Sequence, residues 1–310
     1  MKRLTFILSL VVVFSGFSKK AAAQYYFYND SYYDNPLMFE VGGSIGFMNC
    51  LTDLGGKKGI GKRFIKDLNF GKNQFSGGAY FSVMYKYAIG ARLEATFGKI
   101  SADDAVLANV PNTDIAKARY NRNLNFQSTI TEFSLVTEIH PLFVFIDWTA
   151  RDQDPPRISP YLLAGVGYFS FNPQAKLGSK LVDLQPLSTE GQGFAEYPDR
   201  KVYKLKQINY PVGVGIKYEL SDLVNLRGEF VYRILGTDYL DDVSTSYIDP
   251  NLFAANGFTG AQLNNALQLH DRQINSITGP GGKRGSPAEK DAFFTFNLKI
   301  GVAIGRERIR

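Results

Sequence analysis

The chain has 310 residues, with 35 basic and 29 acidic side chains and a formal net charge of +6. Much of that excess lies in residues 1–23, which carry four basic and no acidic side chains, so residues 24–310 have a net charge of only +2. Composition therefore gives no argument for nucleic-acid binding, and the single cysteine, Cys50, excludes an internal disulfide.

Residues 1–23 have the order of a cleaved signal peptide. Two basic residues precede an uncharged apolar run, Leu4–Phe17, and small residues follow at Ala21–Ala23. We expect cleavage after Ala23. The alternative is a retained membrane anchor, but the apolar run is shorter than the ~20 residues that a spanning helix needs.

Residues 24–36 are rich in tyrosine and precede the first predicted strand. Tyrosine combines a large apolar body with a polar tip, which suits interfaces. We predict a periplasmic N-terminal segment and a candidate docking surface here. Anchoring at the lipid headgroups and simple disorder are the alternatives.

Alternating apolar and polar residues predict eight long strands across residues 37–310. Residues 294–304 are the clearest example, because apolar residues from Phe294 to Ile304 take one parity and polar or small residues take the other. Residues 160–171 are weaker, because Leu162 and Leu163 are adjacent. The other predicted strands are residues 37–48, 75–86, 89–99, 126–139, 207–218 and 224–235.

These strands predict an all-β fold, a transmembrane antiparallel up-and-down barrel of about eight strands with apolar residues facing lipid. Short connections alternate with long ones, as in barrels with periplasmic turns and long extracellular loops, so both termini are expected in the periplasm. The intermediate link, residues 140–159, leaves open whether Leu142–Trp148 extends a strand or forms another. The short connections are residues 87–88 and 219–223, and the long loops are residues 49–74, 99–125, 172–206 and 236–291.

The inward parity carries charged side chains of both signs in similar number. An eight-stranded barrel is only wide enough for side chains to fill its interior. We therefore predict a paired charge network that plugs the lumen, rather than a conducting pore. The predicted lumen charges are Glu40, Arg92, Glu94, Glu132, Glu138, Lys217, Arg227, Glu229, Arg233 and Lys299.

Two sequence patterns suggest ligand chemistry, and both have a simpler interpretation. Residues 56–62 resemble a phosphate-binding loop, but Arg63 stands where the metal-binding hydroxyl is needed, so a flexible basic loop is favoured. Asp238, Asp241 and Asp242 could bind calcium. A solvated loop, or Asp238 bonding the local backbone, is favoured instead.

No residue is assigned a catalytic, cofactor-binding or metal-binding role, and we do not expect an enzyme. The two histidines, His140 and His270, are expected to be inert surface residues. A barrel hydrolase with acids at its rim stays open as a third hypothesis, and its only candidates are the three aspartates named above.

Three stretches carry a resemblance to a known family. They are Glu40–Ser44 leading to Leu51–Gly55, Pro160–Tyr168 followed by Glu190–Gly193, and Thr237–Ser244. Together they resemble the PorG-like family of outer-membrane barrels from Bacteroidetes-type bacteria. The resemblance implies a role in the type IX protein secretion machinery, in which such a barrel ties a periplasmic lipoprotein ring to the outer membrane. It supplies no catalytic residues.

We therefore expect a non-enzymatic outer-membrane barrel that acts as an anchor or assembly component, contacting periplasmic lipoprotein partners and membrane lipid. Its contact surface is predicted at residues 24–36, residues 140–159 and the tail Arg306–Arg310. The alternative is a surface ligand-binding or adhesion barrel that works through its long extracellular loops.

Overall fold

The computed structural model describes residues 36–56, 72–145, 156–221, 223–288 and 290–304. These residues belong to one compact unit, Asn35–Arg310. The predicted signal peptide, all but the last residue of the tyrosine-rich segment, residues 57–71 and the tail Arg306–Arg310 lie outside the described residues.

The described chain is built mainly from long antiparallel strands, each followed by a turn or a long loop. The eight long strands are β1 (Leu37–Leu51), β2 (Gln74–Tyr85), β3 (Ile89–Asp103), β4 (Asn125–Ile139), β5 (Ile158–Ser170), β8 (Lys206–Glu219), β9 (Val224–Leu235) and β10 (Ala292–Ile304). Two further short strands, β6 (Gln174–Leu177) and β7 (Lys180–Asp183), form a hairpin between β5 and β8.

The eight long strands close into a barrel. Neighbours along the sheet run β3, β2, β1, β10, β9, β8, β5, β4, and β3 also pairs with β4, so no long strand is left at an edge. The closing pair has an unbroken register from Ile89 opposite Ile139 to Asp103 opposite Asn125. Every pairing is antiparallel, which confirms the predicted fold class and strand number.

Side chains alternate between the lumen and the outer wall, as the sequence predicts. Ile45 and Leu298, opposite each other on β1 and β10, are 61% and 68% exposed, whereas Glu40 and Lys299 on the same strands are buried. A continuous apolar belt of this kind on the outer wall is suited to lipid and not to water. The chain is therefore a transmembrane β-barrel. Among the described residues, no helix is both long and apolar enough to cross a membrane.

One ambiguous stretch of the sequence is resolved, and another is resolved in part. Leu162 faces outward and Leu163 faces the lumen, where it packs with Val136, Tyr161 and Val231. Leu142 lies in a short helix, α2 (Pro141–Val144), so this part of the link does not extend a strand, and residues 146–155 of the link lie outside the described residues.

The connections differ sharply between the two ends of the barrel. At one end, called the turn end here, lie the turn at residues 86–88, the described residues 220, 221 and 223 of the connection between β8 and β9, and helix α2. At the other, the loop end, the long loops carry helices α1 (Ala116–Arg122), α3 (Asn251–Ala255) and α4 (Gly260–His270) and 3-10 turns at Asp104–Leu107 and Gln185–Leu187. These loops pack into one folded layer, which we call the cap. The cap contains the β6–β7 hairpin, which the strand pattern of the sequence did not predict.

Candidate functional site

The lumen is filled by charged side chains. All ten predicted lumen charges are buried, and they comprise five glutamates and five cations. A buried charge without a partner is very costly, so each must find an opposite charge or hydrogen-bonding group.

Arg92 on β3 is the centre of this lumen network. Its guanidinium contacts Glu138, lies 2.5 Å from Glu229 and lies 3.0 Å from Glu94. Lys299 on β10 completes the group, with its Nζ 2.6 Å from Glu94 and 2.8 Å from Glu229. Strands from opposite sides of the barrel are thereby joined across its axis.

A second group lies beside the first and shares Glu138 with it. Arg227 lies 2.8 Å from Glu138 and 2.9 Å from Glu40. Tyr80 donates a 2.6 Å hydrogen bond to Glu40, and Asn225 donates one of 2.7 Å. The two groups together bring side chains from β1, β2, β3, β4, β9 and β10 into one network.

The lumen network continues toward the loop end through Glu132. Arg233 lies 3.0 Å from Glu132, and Asn209 donates a 2.7 Å hydrogen bond to the same carboxylate. Arg233 also donates to the Thr295 hydroxyl, at 2.6 Å. The predicted paired network is confirmed, and side chains occupy the barrel interior along its length.

The cap has a hydrophobic core of its own, continuous with the loop end of the barrel. Phe169 from the barrel packs against both Phe171 and Phe293. These rings belong to a cluster that includes buried residues from all the long loops. The buried apolar residues that the loops contribute include Leu54, Leu124, Phe171, Leu184, Leu187, Phe194, Leu240, Val243, Ile248, Phe253 and Leu269. The loops therefore pack together into one folded layer and do not extend separately into solvent.

A buried ion pair joins two of the cap loops. Arg284 donates to Glu190 Oε1 at 2.9 Å and to the carbonyl oxygens of Asp242 and His270, at 2.8 and 3.2 Å. Glu190 also accepts from the backbone N–H groups of Ser244 and Thr245, at 3.1 and 2.8 Å. Two stretches that carried the family resemblance, Glu190–Gly193 and Thr237–Ser244, are therefore in contact.

A second buried pair ties in the remaining described loops. Arg122 on α1 makes two 2.9 Å hydrogen bonds to Asp104 and donates 2.7 Å hydrogen bonds to the carbonyl oxygens of Asp53 and Arg284. Asp104 also accepts from the Gly55 backbone N–H at 3.0 Å. Two arginines thus fix the loops that follow β1, β3, β5 and β9 to one another.

The aspartates considered for calcium are buried, so the prediction of a solvated loop is wrong. The local backbone bond is made by Asp241, which accepts from the Val243 N–H at 3.0 Å, whereas Asp238 accepts from the Ser244 hydroxyl at 2.7 Å. Asp242 accepts from Thr189 and Tyr203, at 2.6 and 2.7 Å. The acids therefore lie inside the cap and are not at an open rim.

Burial and nearby negative charges raise the pKa values of these acids, so the acids stay protonated to higher pH than usual. Burial raises the pKa of Asp242 to about 6 and that of Asp238 to about 7. Burial, with Asp53 nearby, raises the pKa of Asp241 well above its usual value. The pKa of Asp291 is raised likewise, by burial and by Asp241 and Asp238. In the described part of the chain, no three His, Cys, Asp or Glu side chains form a group that could hold a metal ion.

Both histidines are buried, so the prediction of surface histidines is wrong. His140 lies at the turn end with its Nδ1 2.9 Å from the Ser159 hydroxyl and its ring stacked on Tyr161. His270 ends α4 inside the cap, and burial lowers its pKa to about 4. Its ring nitrogens have no hydrogen-bond partner among the described atoms, which fits a neutral imidazole held for packing.

Several residues that hold the cap together carry no local sequence signal. Glu190 and Arg284 are 94 residues apart, and Arg122 and Asp104 lie in a loop that alternation cannot describe. The phosphate-loop pattern at residues 56–62 lies almost entirely outside the described residues.

Comparison with known proteins gives only distant likeness. No protein-family profile matches the chain, and no curated protein matches it. A major outer membrane protein of Thermus thermophilus is 13% identical, with a TM-score of 0.39 over 87% of this chain and 100% of that one. The N-terminal β-barrel domain of Pseudomonas aeruginosa OprF is 7% identical, with a TM-score of 0.32 over 87% and 98%. Ail, the attachment invasion locus protein of Yersinia pestis, is 8% identical, with a TM-score of 0.34 over 86% and 97%. The barrel assignment rests on the strand pairing of this chain itself.

Proposed function

We propose that this barrel is a closed, non-enzymatic anchor or assembly component in the outer membrane, serving a protein secretion machine of the type IX kind. Its partners would be periplasmic lipoprotein or ring components that bind the turn end. The plugged lumen supports this proposal, because a barrel filled by paired charges leaves its two ends and its outer wall as the working surfaces. The resemblance to the PorG-like family supplies the secretion part.

The turn end offers apolar side chains that the barrel does not use. Phe145, directly after α2, is 85% exposed. Leu142, Val144 and Leu220 at the same end are about half exposed or slightly less. An apolar group of this kind favours contact with a protein partner or with the lipid interface. In the proposed orientation, which has both termini in the periplasm, this end faces the periplasmic partners.

The test compares two apolar residues at opposite ends of the molecule. Phe145→Asp removes apolar surface at the turn end, and Ile277→Asp removes it on the cap, where Ile277 is 76% exposed. Each variant is purified from detergent-solubilised outer membranes after a heat-shift gel shows a folded barrel. We expect Phe145→Asp to lose co-purified ring lipoproteins and to reduce secretion of type IX cargo, and Ile277→Asp to retain both.

Surface ligand binding is the second candidate, and the cap favours it. The cap has its own hydrophobic core and two buried ion pairs, so it can hold a binding surface in a fixed shape. It also exposes Ile274 and Ile277 in one segment. If Ile277→Asp abolished adhesion or ligand binding while Phe145→Asp changed neither secretion nor partner capture, this second candidate would replace the anchor.

A further inference from the structure

The cap keeps many of its acids inside and most of its bases outside. Six carboxylates of the loops are buried, against two buried arginines, Arg122 and Arg284. The buried acids are Asp104, Glu190, Asp238, Asp241, Asp242 and Asp291. Many of the lysines of the loop end are exposed, so this end presents a more positive surface than its composition suggests.

Within the barrel strands, the outward positive charge is confined to one side of the barrel. Within the eight barrel strands, only two basic residues face outward, Lys99 on β3 and Lys206 on β8, and both are exposed. Strands β1, β2, β9 and β10 present no basic residue to the outside. The other basic strand residues are buried in the lumen, and they are Arg92, Lys217, Arg227, Arg233 and Lys299.

Along β3 and β8, each lysine follows the apolar belt in the direction of the loop end. Ala95, Phe133, Tyr168 and Ile208 pair in one row across β3, β4, β5 and β8. One step nearer the loop end, the next row is Phe97, Thr131, Ser170 and Lys206, and Lys99 follows Phe97 by two residues. On β3 and on β8, an apolar outward side chain thus gives way to an ammonium group at the next outward position toward the loop end, as expected where a lipid-facing strand meets the headgroups.

Two further exposed lysines extend this surface toward the cap. Lys204 lies two residues before Lys206. Lys176 on β6 lies beside β4, because its backbone N–H donates a 3.0 Å hydrogen bond to the Asn125 side chain. We call Lys99, Lys176, Lys204 and Lys206 the basic rim. None of these four ammonium groups forms an ion pair with the described carboxylates.

Two acids at the ends of neighbouring strands already have partners of their own. Asp103, at the end of β3, lies 3.5 Å from Lys72. Asp183, at the end of β7, accepts hydrogen bonds from Asn172 and Gln174, at 2.9 and 2.7 Å. Lys72 offsets the charge of Asp103, and the four lysines outnumber the remaining carboxylate of Asp183, so the basic rim keeps a net positive charge that can attract an anion from the membrane surface.

We infer that the basic rim binds the phosphate groups of anionic lipids in the leaflet on the cap side of the membrane. The acyl chains of such a lipid would lie on the apolar row below, against Phe133 and Tyr168. A basic residue near a membrane surface adds to the attraction for anionic lipid, so several together give a clear preference for such headgroups. This binding is independent of the proposed role in secretion.

Lipid titration with matched variants tests this inference. The full-length mature protein in detergent is titrated with phosphatidylglycerol or phosphatidylcholine, and bound lipid is counted by native mass spectrometry. The double variant Lys99→Gln/Lys206→Gln is compared with Lys283→Gln/Lys290→Gln, which removes the same charge from two exposed lysines in the loop after β9. Wild type should prefer phosphatidylglycerol, the rim variant should bind it about tenfold or more weakly, and the control variant should match wild type.

Three results would overturn the inference. Equal binding of the two lipids by wild type would show that the headgroup is not recognised. Equal losses in the two double variants would show that net charge, and not the rim, is responsible. Displacement of the lipid by inorganic phosphate at the same concentration would assign the site to free anions.

Discussion

Arg284 Nη1 lies 2.9 Å from Glu190 Oε1, and this buried ion pair joins two cap loops that are 94 residues apart in the chain. Glu190 also holds the backbone of Ser244 and Thr245. The pair therefore fixes the long loop after β9 to the loop after β5. The cap is closed by contacts between loops, while the barrel beneath it is closed by strand pairing.

Replacing Arg284 should open the cap without unfolding the barrel. Arg284→Met leaves Glu190 buried without its cation, which typically costs about 3–5 kcal/mol. We expect the cap loops to become sensitive to limited proteolysis, while the heat-shift of the barrel on a gel is retained.

Arg272→Met is the control for this prediction, because Arg272 lies in the same loop as Arg284. Its side chain donates a 2.8 Å hydrogen bond to the Lys176 carbonyl oxygen and not to a buried carboxylate. It should leave the protease pattern unchanged. If Arg284→Met and Arg272→Met behaved alike, the ion pair would not be what holds the cap closed.

Arg92 should be the most sensitive position in the lumen. Arg92→Met removes the cation shared by Glu94, Glu138 and Glu229. Uncompensated buried charge should lower the free energy of unfolding by about 3–5 kcal/mol, measured by urea titration in lipid vesicles. The lipid-facing neighbour Leu93, changed to Val, should lower it by less than about 1.5 kcal/mol. Equal effects would mean that the lumen network adds nothing to stability.

Two glycines of the barrel give a matched test of lumen packing. A Cβ at Gly301 would clash with Glu40 Oε1 and with the Tyr80 hydroxyl, whereas a Cβ at Gly228 would meet nothing within 4 Å. Gly301→Ala should therefore cost about 1–3 kcal/mol in the free energy of unfolding. Gly228→Ala, on the lipid-facing wall, should change it by no more than about 0.5 kcal/mol.

The cap should weaken as the pH rises. Asp242 and Asp238 have pKa values of about 6 and about 7 in the folded cap, both raised by burial. Because the folded-state pKa is raised, each carboxyl favours the closed cap below about pH 4, and this stability is lost as the pH rises through 6 to 7. For Asp242 the loss is on the order of 2–3 kcal/mol.

His270 acts in the opposite sense, because its pKa is lowered to about 4 and protonation on unfolding favours an open cap in acid. Four raised carboxyls, those of Asp238, Asp241, Asp242 and Asp291, oppose this single imidazole. Limited proteolysis should therefore be faster at about pH 8 than at about pH 5 after correction for protease activity. Asp238→Asn/Asp242→Asn should reduce that difference, and an unchanged difference in this variant would contradict the assignment.

The barrel could be predicted from the sequence because the alternation of residues that specifies it lies within each strand. A residue's face in a strand follows from its parity, so Glu40 and Lys299 could be assigned to the lumen without knowledge of their partners. The assignment by parity fails at Leu163. An apolar side chain can face either the lipid or a lumen lined by Tyr161 and Val136, and two adjacent leucines do not show which of them faces outward.

The cap could not be predicted, because its contacts join distant loops. Asp242 looks like a solvated loop residue in the sequence and becomes buried only when Thr189 and Tyr203 come to it from another loop. His270 has no sequence neighbour that reveals its burial beside Phe253 and Tyr247. The β6–β7 hairpin was missed because each strand has only four residues.

Conductance across a planar lipid bilayer tests the closed barrel most directly. Paired charges such as Arg92 with Glu229 and Arg233 with Glu132 occupy the lumen, and the cap covers the loop end. Wild-type protein inserted in a bilayer should show no sustained ion current over a range of voltages. A stable current proportional to voltage from folded protein would contradict the account and return the lumen to consideration as a pore.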